Sequence, residues 1–159
     1  MTISTIKSRI ISIQEYVNQF GYQSYDIYDA LTAPWINGLI QSDNRLFLRL
    51  WIQFIKHFPI NLRPLLGIKP FLHTKTISDF LSGYAIRYKD QKSSELKQKI
   101  LELAFNLFEV SISQEIGTGW GLRFPYVTRF DKADEKTPNS YNTINAIHAF
   151  IDVYDALGD

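Results

Sequence analysis

With 159 residues the chain has room for one domain with a real core, and 45% apolar and 21% charged residues are the proportions of an ordinary globular protein. A balance of 17 basic against 16 acidic side chains gives no broad field to draw in nucleic acid or an anionic lipid surface, so neither is expected as a partner. Cysteine is absent, which excludes disulfides, thiolate metal sites and cysteine nucleophiles and fits a reducing compartment, the cytoplasm being the expected location.

In chain order, Ile3, Ile6, Ile10, Ile13, Val17 and Phe20 recur at intervals of three and four and so share one stripe of a helix that Gly21 ends. Lys7, Arg9 and Glu15 interrupt this segment, which therefore lacks the unbroken apolar run of a signal peptide. Ser42 and Asp43 are expected to cap a second helix that turns Phe47, Leu50, Trp51, Phe54, Ile55 and Phe58 inward, carries Arg45, Arg49, Gln53 and Lys56 outward, and closes at Pro59. Residues 46–58 are the most apolar stretch, yet their polar interruptions leave them short of the ~20 residues that span a bilayer. A third helix is expected to open at Thr76, with Asp79 completing a capping box, and to place Ile77, Phe80, Leu81, Tyr84 and Tyr88 on one face, Gly83 marking close packing.

Ser93 and Ser94 begin a fourth, strongly two-sided helix that sets Leu96, Ile100, Leu103, Ala104 and Leu107 against Glu95, Lys99, Glu102, Asn106 and Glu109 and reads as an outer helix. A fifth, over residues 141–157, is apolar around most of its circumference and is expected to be largely buried. Its one polar stripe, Asn145, His148, Asp152 and Asp155, either lines an interior cavity or faces solvent. No convincing strand alternation occurs, so the class is all-α, with short β pairing expected only within residues 117–130.

Three connections, residues 21–41, 58–75 and 113–139, are long for a simple bundle and rich in aromatics, proline and glycine. Loops of that length are functional or packed against the core. In the third, GTGWGLRFPYVTRF gathers Trp120, Arg123, Phe124, Tyr126 and Arg129 around three glycines at residues 117–130. Aromatic faces stack on the apolar faces of pyranose rings and arginine forks hold hydroxyls, carboxylates or phosphate, so the group suits a sugar or a phosphorylated sugar. The alternative is that the aromatics plug the end of a helical core and the arginines lie at the surface.

In the first loop Asp26 and Asp29 are interleaved with Tyr22, Tyr25 and Tyr28, either as carboxylates of a glycan site or as caps of the loop's own turns. In the second, Arg63 lies among prolines and leucines, where it either bonds loop carbonyls or holds an anionic group. His57, His73 and His148 form no metal-binding pattern, no serine-hydrolase elbow occurs, and the glycines lack dinucleotide-binding spacing. No metal or cofactor is expected.

Tyr25, Asp26 and Asp29, the run Asn61-Leu62-Arg63-Pro64-Leu65-Leu66-Gly67, Trp120-Gly121 with Phe124 and Arg129, and Thr137-Pro138 follow one another in this order. That series resembles the amino-terminal portion of a bacterial family associated with capsule and exopolysaccharide biosynthesis. The chain departs from the family pattern at Pro125 and Tyr126, where members carry an acidic residue and a tryptophan. The resemblance implies an α/α toroid like that of six-hairpin glycosidases and terpenoid cyclases, in which each hairpin buries its apolar face against the next. About five helices, or two to three hairpins, form only part of such a ring, so residues 1–159 are expected to be a single helical domain that is a fragment, a split half, or completed by a partner.

Two functions follow from this. The first is a glycan-handling protein that binds a sugar or sugar phosphate in a cleft of the three loops, through Trp120, Arg123, Phe124, Tyr126, Arg129, Asp26, Asp29, Arg63 and His148. No reaction and no catalytic residue is identified by this reading. The second is a non-catalytic helical scaffold that pairs with another helical protein through apolar faces left uncovered.

Overall fold

The computed structural model describes residues 2–40 and 44–158. Among the described residues six α-helices carry most of the chain: α1 (Ile3–Phe20), α2 (Asn37–Ile40), α3 (Arg45–His57), α4 (Thr74–Asp90), α5 (Ser94–Glu109) and α6 (Ser140–Leu157). Between α1 and α2 run two 3-10 turns, Asp29–Thr32 and Pro34–Ile36. The loops pair in three small antiparallel sheets: β1 (Gln23–Ser24) with β2 (Phe71–Leu72), β3 (Ile112–Gln114) with β4 (Gly117–Gly119), and β5 (Tyr126–Val127) with β6 (Lys132–Ala133). The helical class expected from periodicity is therefore found, but β pairing is not confined to residues 117–130. These ladders are two or three residues long, enough to satisfy backbone groups where loops pass one another and too short to impose an alternating pattern on the sequence.

Local signals explain most helix ends. Thr2 caps α1 through its side chain, and Gly21, with φ 74°, returns its amide to the Val17 carbonyl at 2.8 Å. Asn44 caps α3 by accepting from the Phe47 amide, and Ser93 caps α5 by accepting from that of Leu96. Ser42 and Asp43, expected as the caps of α3, lie outside the described residues. The capping box at Thr76 is not formed. Helix α4 begins at Thr74 with His73 as its cap residue, and Asp79 instead pairs with Lys75 one turn back.

Two apolar cores result. The first lies among α4, α5 and α6 and contains Ile77, Leu81, Tyr84, Leu96, Ile100, Leu103, Leu107, Trp120, Ala146 and Ala149. The second packs α3 on the 3-10 turns through Ala30, Leu31, Ala33, Ile36, Leu48, Ile52, Ile55, Ile68 and Val127. The two-sided reading of α5 holds on its inner face, while Leu101, Phe105 and Phe108 are exposed on its outside.

Which apolar stripe goes inward differs from expectation in two helices. On α3 the buried residues are Leu48, Ile52 and Ile55, and Phe47, Leu50, Phe54 and Phe58 are exposed. The shelf beneath them is the tightly wound backbone around Ala30, Leu31 and Ala33, which accepts compact aliphatic side chains and, of the expected rings, only Trp51, whose indole donates to the Ala30 carbonyl at 3.0 Å. Helix α6 is not largely buried. Its inner face is the small-residue row Asn142, Ala146, Ala149 and Ala156, which lets it lie close on α4, and Ile144, Ile147, Ile151 and Tyr154 are exposed. On α1 only Val17 of the apolar stripe is buried, and a cavity of about 480 Å³ separates Ile10 and Ile13 from Phe80 and Tyr84 of α4. Gly83 opens onto that cavity, and a Cβ there would meet nothing within 4 Å, so it does not mark close packing. Among the described residues no helix is long and apolar enough to cross a membrane.

Candidate binding groove

The third loop is held between the first turns of α4 and α6. The Trp120 amide donates to Thr143 Oγ1 at 3.0 Å, the Asn139 amide donates to the Trp120 carbonyl at 2.9 Å, and Thr74 Oγ1 donates to the Gly121 carbonyl at 3.1 Å. Gly121 runs so close to the chain before α6 that an added Cβ would overlap the Thr137 carbonyl, which is why this position has no side chain. The first and second loops are locked to each other by Arg63. Its Nε donates to Asp29 Oδ1 at 2.7 Å and its terminal nitrogen to the Asp26 carbonyl at 2.8 Å.

Asp29 is fully buried, and burial pushes its carboxyl above the usual carboxylate range while Arg63 and the Asp26 amide pull it back down. The NLRPLLG run shapes the turn that delivers Arg63: Asn61 Oδ1 accepts from the Arg63 amide, and Gly67 takes φ 74° as the chain reverses. Next to it the β1–β2 pair and a 3.0 Å bond from His73 Nε2 to the Ser24 carbonyl bring the start of α4 against the first loop.

A groove lies where these segments meet. Two adjoining hollows of about 600 and 250 Å³ share Asp26, Leu122, Tyr141 and Asn142 in their walls. The larger adds Tyr28, Phe124, Tyr126, Asp131 and Asp134, and the smaller adds His73, Thr74 and Lys75. All three long loops thus contribute, together with the first turn of α6. Tyr126 is half-buried and meets Tyr28 edge-on at 6.1 Å, and Tyr141 is 61% exposed, so both rings can offer a face to a ligand. Asn142 is 2% exposed, and its Nδ2 has no hydrogen-bond partner among the described residues. A buried donor left unpaired costs about 1–3 kcal/mol, so this amide is an unsatisfied group facing the groove.

The nine residues expected to bind ligand separate in space. Asp26, Phe124 and Tyr126 line the groove. Asp26 also caps its own loop, its Oδ1 accepting from the Tyr28 amide, with no bond to Oδ2 among the described residues. Trp120 is 7% exposed, inside the first core, and its indole donates to the Leu107 carbonyl at 2.7 Å, which makes it a plug of that core. Phe124 is also deeply buried, against Phe71, and presents one edge as groove floor. Asp29 and Arg63 lie beneath the groove, engaged with each other.

Arg123 sits at φ 63°, donates to the Leu72 carbonyl and faces a separate hollow that also holds Glu109 and Glu135. Arg129 lines another, of about 260 Å³, with Arg49 and Gln53. His148 is exposed on α6, away from the groove, and Asp155 of the same stripe pairs with Lys89 at 3.6 Å, which favours the solvent-facing reading of that stripe. Tyr141, Asn142, Asp131 and Asp134 were not singled out by sequence. The signal for Asn142 was its position four residues before Ala146 and seven before Ala149, a polar group at the head of a buried row.

Among the described residues no group of three or more histidines or carboxylates is placed to hold a metal ion. Fold and site together define a mostly helical protein with a loop-built groove beside a three-helix core. No family model matches the chain, and neither a curated protein nor a solved structure matches it.

Proposed function

We propose that the chain is a glycan-handling protein that binds a saccharide in the groove between its three long loops. The observation that carries this reading is the convergence of Tyr126 and Tyr141 with Asp26, Asp131, Asp134 and the unpaired amide of Asn142 around about 600 Å³ of space. Tyrosine faces cover the apolar faces of a sugar ring, carboxylates accept from hydroxyls, and the volume lies within the range of small-ligand sites. An α/α toroid and a role in polysaccharide biosynthesis belong to the same proposal and rest on the ordered motifs from Tyr25 to Pro138, and a cytoplasmic setting rests on the lack of cysteine. Tyr126→Ala and Tyr141→Ala are expected to abolish saccharide binding in an NMR titration while leaving the melting temperature within a few degrees. Unchanged binding in both variants would sink the proposal. Trp120 is unsuited to this test because its removal opens the first core.

Pairing with another helical protein is the second reading. It is favoured by the exposed apolar rows Leu101, Phe105 and Phe108 on α5 and Ile144, Ile147 and Ile151 on α6. Sedimentation over a wide concentration range, with and without the dye ANS, checks it. A dilute monomer that binds no dye rules it out.

A further inference from the structure

We propose that the groove selects an uncharged, hydroxyl-rich sugar and turns away phosphorylated or carboxylated ones. This rests on the saccharide reading and narrows it. Three carboxylates, Asp26, Asp131 and Asp134, stand in the wall of the larger hollow, and none belongs to an ion pair among the described residues. Lys75, the cationic side chain on the wall of the smaller hollow, is already paired with Asp79, and the His73 ring is held by the Ser24 carbonyl. The arginines that would favour an anion are not in its walls: Arg63 is engaged with Asp29, Arg123 faces another hollow, and Arg129 lies in a hollow on the far side of Tyr28, Tyr126 and Thr128.

Carboxylates accept from hydroxyl groups, and Asn142 Nδ2, buried and without a partner, donates to a hydroxyl or acyl oxygen. A neutral sugar supplies both kinds of partner. An anionic sugar brings its charge against three like charges, while the lysine of the groove, Lys75, is already paired with Asp79.

The test is titration of the isotope-labelled full chain with glucose and N-acetylglucosamine against glucose 6-phosphate and glucuronate, following the side-chain amide of Asn142. The neutral sugars are expected to shift that signal, and the anionic ones to bind about tenfold more weakly, with the gap narrowing as salt is raised. Asp131→Asn with Asp134→Asn keeps the Oδ1 acceptors that cap Lys132, Lys136 and Thr137 and is expected to shrink the gap to about twofold. Asn142→Ala removes no hydrogen bond made by its side chain, so the melting temperature should hold while neutral-sugar binding falls about tenfold. A lower melting temperature with unchanged binding overturns the role of Asn142. Glucose 6-phosphate binding as tightly as glucose overturns the selectivity and leaves the saccharide reading standing; if Arg129→Ala then abolishes it, the hollow beside Arg49 is the site instead. Binding of none of the four sugars overturns both.

Discussion

Around α4, α5 and α6 the interior combines aliphatic side chains with the rings of Tyr84 and Trp120, and the Trp120 indole donates to the Leu107 carbonyl. Around α3 and the 3-10 turns the buried core is wholly aliphatic, and beside it lies a buried ion pair between two loops, Asp29 with Arg63. The first region is held by area removed from water, which is non-directional and tolerant. The second is held in place by a bond that exists in one geometry. A buried ion pair contributes little net stability because desolvation offsets its attraction, but breaking it leaves an uncompensated charge. The groove lies beside both regions, with Tyr141 and Asn142 of α6 and Asp26 and Tyr28 of the first loop in its walls.

The sharpest way to break this contrast is Trp120→Ala. It should lower stability by about 3–5 kcal/mol in chemical denaturation, since an indole leaves a large void in a close-packed core. A loss under 1 kcal/mol would mean that Trp120 is not the plug described.

Arg63→Ala comes next, at about 3 kcal/mol, because it strands the Asp29 carboxyl in the interior. The double change Asp29→Leu with Arg63→Met should recover most of that stability yet still disturb sugar binding, if the pair positions the first loop. The single variant also has a pH signature. Burial already raises the Asp29 carboxyl, and the folded state of such a group holds its proton more readily than the unfolded chain does. Its stability contribution is therefore present at low pH and lost as pH rises through the folded value. The Arg63→Ala deficit should be greatest near neutrality and shrink on acidification, and urea denaturation at a series of pH values measures it.

The smallest effect is expected at Glu95, in the first turn of α5, where Lys99 holds its carboxyl below the usual range. A depressed carboxyl stabilises above its unfolded value and ceases to do so as pH falls through the folded one. Glu95→Gln should lower the melting temperature slightly at neutral pH and not at all near pH ~3. An equal difference at both would show that the charge is not involved.

Much of the helical layout was legible before the structure, because Gly21, Ser93 and the intervals of three and four act within a turn of the residues they affect. The inward face of α6 was not. Its isoleucines dominate the pattern, yet the alanines go inside, because only a row of small side chains lets α6 lie against α4. The candidate site was legible in part for the same reason. The aromatic loop from Gly117 to Phe130 does reach the groove through Phe124 and Tyr126, but whether Trp120 faces a ligand or the core depends on the Leu107 carbonyl it meets.

The chain by itself determined which long segments are helical, that long loops join them, and that its acidic and basic side chains nearly balance. These are properties of neighbouring residues and of simple sums. Tertiary packing alone decided which of two apolar stripes is buried on α3 and α6, and that Arg63 meets Asp29 rather than solvent. It also decided that Asp26, Tyr126 and Asn142 share one groove. Such meetings are set by which loop closures bury the most surface and leave the fewest polar groups unpaired, a comparison across the whole molecule that no local pattern contains.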